Sequence, residues 1–196
     1  MNRCEQLHLE ILNCKECKER FGFTPIPIVH GNMNAKIMQI SQAPSLMVEK
    51  TKKPFNDLSG KKLKYEWYQI SDEIFYDPNY FYITSLGHCY PGKSKNGGDR
   101  LPPISCAKKW LVQEIECIEN EIYIIIGSKA AKFFFKDQSF ETLVFNDQVL
   151  NGKLTYVLPH PSPLNIRWFK QYPQFEQRIS TIRPVSYTHL TLPTKA

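Results

Sequence analysis

The sequence has no apolar stretch near the roughly 20 residues needed to cross a bilayer, which argues against a transmembrane helix. No window resembles a secretory leader either, since the N-terminal MNRCEQLHLEILNC is amphipathic and interrupted by charge. These absences predict a cytoplasmic protein without membrane association. There, cysteines stay reduced and clustered ones point to metal rather than disulfides. Internal repeats and low-complexity tracts are missing as well. At 196 residues the chain is too short for two ordinary domains and long enough for one buried core.

Hydrophobic residues make up 42% and aromatics 13%, a balance that reads as globular rather than disordered. The formal net charge of +6 is compatible with a polyanionic partner, although many basic proteins are merely soluble. One segment stands apart. Val185 to Thr194 reads VSYTHLTLPT, which resembles a frame translation of a common transposon-end sequencing adapter and has no helical or strand period continuing what precedes it; the alternative is a genuine disordered tail. Residues 185–196 are therefore set aside as a non-native tail, leaving 1–184 as one domain.

Apolar residues at Leu7, Ile11 and Leu12 predict a short first helix over Glu5 to Asn13. Compact apolar runs predict strands at Lys36 to Ser41, Tyr80 to Leu86, Ile122 to Ile126 and Leu154 to Leu158. Residues 46–60 mix Lys, Pro and Gly and read as a long functional loop, with Lys61 to Ile70 helical after it. Ser105 is placed as the N-cap of a helix through Ile118, whose apolar face carries Trp110, Leu111 and Ile115. Gly127-Ser128 opens a further helix over Lys129 to Phe135, and Phe175 to Ile182 begins a last one. Strands alternating with helices imply an α/β protein whose parallel sheet is covered on both faces. Ligands bind such sheets beyond the carboxyl ends of the strands, so Ser41–Ser45, Ser85–Cys89 and His160–Asn165 should converge.

Cys14 and Cys17 form a CxxC at the end of the first helix, and Cys89 and Cys106 lie in and just after a loop rich in Gly, Pro and Lys. Two close thiolates plus two distant ones can close around one metal centre. A tetrathiolate set serves both 4Fe–4S clusters and structural zinc, and spacing does not choose between them. A thioredoxin-like pair would follow a strand and open a helix, whereas this CxxC ends one. A zinc ribbon would bring a second CxxC, which is absent. Cys4 is assigned to a frayed terminus and Cys117 to a buried helix position.

Five motifs then follow in order: SQAPS at 41–45, PFNDLSG at 54–60, FYITSLGHC at 81–89, Cys106 ahead of a helix, and HPSPLN at 160–165. In this order, spacing and two-plus-two arrangement of cysteines, the chain resembles the uracil-DNA glycosylase superfamily, especially its iron–sulfur branch, families 4 and 5. The resemblance spans roughly Cys4 to Pro184. It implies a three-layer α/β/α sandwich around a central four-stranded parallel sheet, with a 4Fe–4S cluster held by Cys14, Cys17, Cys89 and Cys106. The implied protein is a DNA glycosylase, read as a monomer, that acts in base-excision repair on DNA carrying a damaged base. It would hydrolyse the N-glycosidic bond of uracil or another deaminated base. The alternative is a non-catalytic nucleic-acid-binding module with a structural metal site, iron–sulfur or zinc.

Such a reaction takes the base out of the helix and breaks a bond to leave a sugar cation and a base anion, so the site must meet both charges. By the resemblance, His160 donates a hydrogen bond to the departing pyrimidine oxygen, where charge develops only in the transition state. Asp57 matches a catalytic aspartate of family 5 that would orient the attacking water. An Asp in NDLSG is equally an ordinary turn or cap residue. Gln42 stands at the Glu of the family 4 motif GEAPG, where its amide would position water or bind the base. Ala43 falls where the family 1 motif GQDPYH places its aspartate.

Phe55 matches the aromatic that stacks on the flipped base. Ser85 departs from the usual ITN, so one hydroxyl replaces the base-reading amide; the pocket then either accepts other deaminated bases such as hypoxanthine or reads uracil with backbone groups. Ser45 and Ser162 match small residues that pinch phosphates beside the flipped nucleotide. Pro163, Leu164 and Asn165 form a candidate wedge for the gap in the stack, with Leu164 alternatively a core residue under the loop. Lysines 50, 52, 53, 61, 62 and 64 surround PFNDLSG and would face the DNA backbone. No lysine stands in a motif position suited to Schiff-base lyase chemistry.

Overall fold

The computed structural model describes residues 1–95 and 97–182; the tail at 185–196 lies outside the described residues. Helix α1 (Arg3–Leu12) starts on a capping box, in which the Asn2 side chain accepts from the Glu5 amide and the Glu5 carboxylate accepts from the Asn2 amide. Cys4 is therefore buried in a capped helix rather than frayed, a correction to the sequence reading. After α2 (Glu16–Phe21) the chain enters β1 (Ile37–Ser41). Then α3 (Leu46–Thr51), α4 (Leu58–Lys61), a π-helical turn (Lys62–Tyr68) and α5 (Asp72–Phe75) lead to β2 (Phe81–Ser85). A continuous rod follows, made of α6 (Ile104–Cys106), a second π-helical stretch (Ala107–Leu111) and α7 (Val112–Cys117). Next come β3 (Ile122–Ile126), α8 (Ser128–Phe134), α9 (Phe140–Phe145), β4 (Gln148–Leu150) and β5 (Lys153–Leu158). The described chain closes with a 3-10 turn (Pro163–Asn165), α10 (Ile166–Gln171) and helical residues 175–182.

The strands form one sheet in the order β2-β1-β3-β5-β4. Ile37 of β1 is in parallel register with Phe81 on one side and Ile122 on the other, and Ile124 of β3 faces Tyr156 of β5. These four parallel strands are the ones the apolar runs mark. The sheet also has a fifth member, the antiparallel edge strand β4, so the expected count of four is corrected to five. Asn151 (φ 50°) and Gly152 (φ 74°) make the turn between β4 and β5. A two-residue hairpin with both central φ values positive matches the strand twist, and Asn-Gly favours it.

Every residue of β1, β2 and β3 is buried. A parallel sheet covered by helices on both faces has this continuous apolar character, and the β-branched run IYIII supplies it. Beneath the sheet Phe75 packs within 5.1 Å (ring centroids) of Phe81, and Tyr68 stacks on Phe81. A smaller cluster joins Leu7 and Ile11, one helical turn apart on α1, to Trp110 on the rod, with Cys14, Cys106 and Cys117 packed against it.

Two local expectations change. Ser105 is not a cap: the rod begins at Ile104 after Pro103, whose fixed φ suits the start of a helix. Residues 46–60 are not all loop, because the Ser45 hydroxyl accepts from the Val48 amide (3.3 Å) to start α3, and Asp57 starts α4.

Candidate active site

Beyond the carboxyl ends of β1, β2 and β5 opens a cavity of about 250 Å³. The segment from the end of β1 supplies Ser41, Gln42, Ala43, Pro44 and Ser45; β2 supplies Thr84 and Ser85. His160 and Ser162 reach it from the turn after β5, and Phe55 and Asp57 from the loop before α4. The loops are tied to one another by backbone hydrogen bonds from Leu86 N to Ser41 O (2.9 Å) and Gly87 N to Gln42 O (3.2 Å). Eight residues singled out from sequence thus share one cavity: His160, Asp57, Gln42, Phe55, Ser85, Ala43, Ser45 and Ser162. Pro163 and Leu164 do not line it. Leu164 instead borders a neighbouring cleft with Phe140 and Trp168, and it is 93% exposed, which rules out the core alternative.

His160 has a defined tautomer. Its Nδ1 accepts a hydrogen bond from the Ser162 backbone N–H at 3.2 Å, so the proton of the neutral ring sits on Nε2. The Asn165 side-chain amide donates to the His160 carbonyl (3.1 Å) and fixes the turn from behind. The ring is open to the cavity but surrounded by protein at longer range; that burial lowers its pKa below the usual imidazole range, with the Asp57 carboxylate pulling the other way. The result is a neutral hydrogen-bond donor.

Asp57 is a cap residue and a site residue at once. Its Oδ1 accepts from the Gly60 amide at 2.9 Å, which leaves Oδ2 for the cavity. Phe55 sits at φ 51°, in the left-handed region that a bulky side chain rarely adopts. Gly60 permits this fold-back, since a Cβ there would lie 1.7 Å from the Phe55 carbonyl oxygen. Of the neighbouring lysines, those at 50, 52, 53 and 61 are exposed. Lys62 lies 4.2 Å from the Phe169 ring centroid, and Lys64 is buried on Asp72 (2.6 Å) rather than facing outward, a correction to the sequence reading.

The Ser85 hydroxyl is already committed: it donates to the Gly87 carbonyl at 2.7 Å and offers the cavity only lone pairs. The Gln42 side chain, half-buried at the wall, carries the amide that Ser85 lacks. Sequence reasoning missed Asp99, which also lines the cavity, held by Lys93 (2.8 Å) and the Tyr90 hydroxyl (3.3 Å). Nothing in the polar loop around it marks it out. Thr84 was missed as well; its hydroxyl donates to Glu114 at 2.9 Å.

All six cysteines are free thiols. Cys17 and Cys89 are buried, Cys14 and Cys106 half-buried. Burial pushes the Cys17 thiol up to about 11, helped by Cys106 and Cys14; it pushes Cys89 up to about 12, helped by Cys106, Cys17 and Cys14. The four therefore occupy one neighbourhood, although among the described residues no three metal-binding side chains stand at ligand spacing. A soft cation is what would let Cys17 and Cys89 ionise there despite their burial, since thiolates and not thiols bind metal.

Next to them lies a buried polar network that no motif announces. His88 Nδ1 is 3.6 Å from Cys106 Sγ, and its Nε2 is 3.0 Å from Glu114 Oε1. Glu114 also accepts from the Tyr82 hydroxyl (2.8 Å). Burial opposes the imidazolium, but the Glu114 charge and hydrogen bonds outweigh it and hold His88 up at about 10. Burial opposes the carboxylate in the same way and is outweighed, so Glu114 lies below the usual carboxylate range. The pair is ionised.

The fold and the site together define an α/β protein with a crevice at the carboxyl ends of its parallel strands, lined by His160, Asp57, Gln42 and Phe55. The profile of the uracil DNA glycosylase superfamily matches residues 28–181, and the chain belongs to that superfamily. Three curated relatives are named Type-4 uracil-DNA glycosylase. That of Sulfurisphaera tokodaii is 25% identical over 136 residues, 69% of this chain and 59% of the relative. That of Saccharolobus solfataricus is 28% identical over 138 residues, 69% of this chain and 61% of the relative. The Archaeoglobus fulgidus protein is 26% identical over 149 residues, 73% of this chain and 70% of the relative. The matched region spans about three fifths of the length of the first two. Among the described residues no helix is long and apolar enough to cross a membrane.

Proposed function

We propose that the protein is a monofunctional, monomeric DNA glycosylase that hydrolyses the N-glycosidic bond of uracil or another deaminated base in base-excision repair. The observation that carries this reading is the neutral His160, whose Nε2–H is left free at a cavity shared with Asp57 and Phe55. The flipped base stacks on Phe55. As the C1′–N bond breaks, its electron pair stays on the base, and His160 Nε2–H donates to the base oxygen where the negative charge gathers. The free oxygen of Asp57 stabilises the sugar cation and orients the water that attacks C1′; the proton released by that water ends on the base. Gln42 supplies an amide to the base edge or the water, beside Ala43. Ser45 and Ser162 contact the flanking phosphates, and Pro163 with the exposed Leu164 fills the gap in the stack.

Cys14, Cys17, Cys89 and Cys106 would hold a 4Fe–4S cluster. When bound, the cluster would tether α1 and α2 to the loop after β2 as a structural cross-link, without a redox role in base removal. Their crowding supports this reading. Protein purified anaerobically should carry iron and sulfide with absorbance near about 400 nm, the charge-transfer region of iron–sulfur centres. Cys89→Ser should lose most of both, and zinc in place of iron would contradict the assignment.

The activity is tested with duplexes containing uracil, hypoxanthine or xanthine, scored as alkali-labile sites. Cleavage of at least one is expected. An intact cluster with no cleavage of any would leave a DNA-binding module instead.

A further inference from the structure

The loop that carries the base-stacking ring is held by a residue outside the cavity. Tyr76, just after α5, donates its hydroxyl hydrogen to the Pro54 carbonyl at 2.8 Å, with the Phe55 carbonyl 3.4 Å away. The same oxygen accepts from Lys64 Nζ at 3.2 Å. Lys64 is only 3% exposed and is anchored by Asp72 Oδ1 at 2.6 Å. The Tyr76 ring is fixed in turn: Lys53 Nζ lies 4.1 Å from its centroid, and Phe75 meets it edge-on at 5.1 Å. Phe75 then meets the Phe55 ring edge-on at 6.2 Å.

This arrangement has a reason to exist. A phenylalanine at φ 51° relaxes unless its surroundings over-determine it. Gly60 leaves the space but exerts no pull. The pull comes from the Tyr76 hydroxyl on the Pro54 carbonyl, and a buried ammonium keeps that hydroxyl oriented because its proton must point away from Lys64. A lysine buried against a carboxylate is costly to retain and contributes little net stability. Its use here is orientation.

We propose that Tyr76, oriented by Lys64 and Asp72, is the positioning residue that sets the Phe55 stacking platform. The inference rests on the glycosylase reading for its catalytic consequence, though not for the geometry of the clamp. Tyr76→Phe removes the hydroxyl and keeps the ring, so the aromatic packing survives. Three measurements test it. Hydrogen exchange at residues 55–60 should speed up in Tyr76→Phe while exchange in β1 and β3 stays as in the parent. Single-turnover excision should fall about fivefold to tenfold, the equivalent of one hydrogen bond. In a Phe55→Ala background the same Tyr76→Phe change should have almost no further effect, because Tyr76 acts through Phe55.

An equal loss in both backgrounds would overturn the proposal, as it would show a general structural role. Unchanged exchange at 55–60 would overturn it too. Should the parent protein excise no base, the glycosylase reading fails by itself, and the exchange measurement still decides the clamp.

Discussion

His160→Ala is expected to lower kcat by about 100- to 1,000-fold, the usual loss when one preorganised donor to a developing anion is removed. The donor acts on charge that appears only as the bond breaks, so kcat and kcat/KM should fall together while KM stays near the parent value. Stability should change little, since the ring is open to the cavity and its contacts are confined to one turn. The pH dependence gives an independent check. Burial holds the His160 pKa below the usual imidazole range, so the ring is neutral at pH 7. As pH falls through that lowered value, Nδ1 gains a proton and faces the Ser162 N–H, two donors against each other. Activity should therefore drop on the acid side with an inflection below about 6.5, the ordinary histidine value. The residual activity of His160→Ala should lack that inflection. A fall of less than threefold would remove His160 from the mechanism.

Glu114→Ala should have the largest effect on stability. The carboxylate is 1% exposed and accepts from Tyr82, Thr84 and His88 at 2.8, 2.9 and 3.0 Å. Removing it leaves His88 without the partner that holds its charge and leaves two hydroxyls without their acceptor in the interior; breaking a buried pair in this way costs about 3–5 kcal/mol. A domain stable by roughly 5–15 kcal/mol would lose a large share of that. Glu114→Gln keeps the shape and one acceptor oxygen, so it should fall between alanine and the parent. Urea unfolding checks the order, and an alanine variant within about 1 kcal/mol of the parent would mean that the pair is not ionised as described. The two predictions separate cleanly, because the histidine variant loses turnover and keeps its stability, whereas the glutamate variant loses stability and keeps turnover at temperatures where it stays folded.

The parallel strands were legible because Lys36 to Ser41 and Ile122 to Ile126 are unbroken apolar runs, the signature of a sheet buried on both faces. β4 escaped because its three residues carry the exposed Val149 and make no such run, although Asn151-Gly152 after it is a hairpin signal in plain view. Most cavity residues could be collected from motifs because SQAPS, FYITSLGHC and HPSPLN each follow or end a strand, and the strand ends must meet; PFNDLSG joins them from the loop before α4. What a motif cannot show is which partner already occupies a polar atom. Nothing in ITS shows that the Ser85 hydroxyl is already bonded to the Gly87 carbonyl. Lys64 looks like its exposed neighbours in sequence, yet its position on the π-helical turn sends it inward to Asp72. Likewise His88 and Glu114 are separated by a loop and half a helical rod, and only the tertiary fold makes them a pair.

The sheet order also bears on how the chain assembles. β1 lies between β2 and β3, so Ile37 cannot gain both neighbours until residue 122 has left the ribosome. Until then one full edge of an apolar strand is bare, and pairing across such sequence distances is slow. Nascent chains of this protein should therefore depend on shielding by chaperones while the rod from Ile104 to Cys117 is still being made.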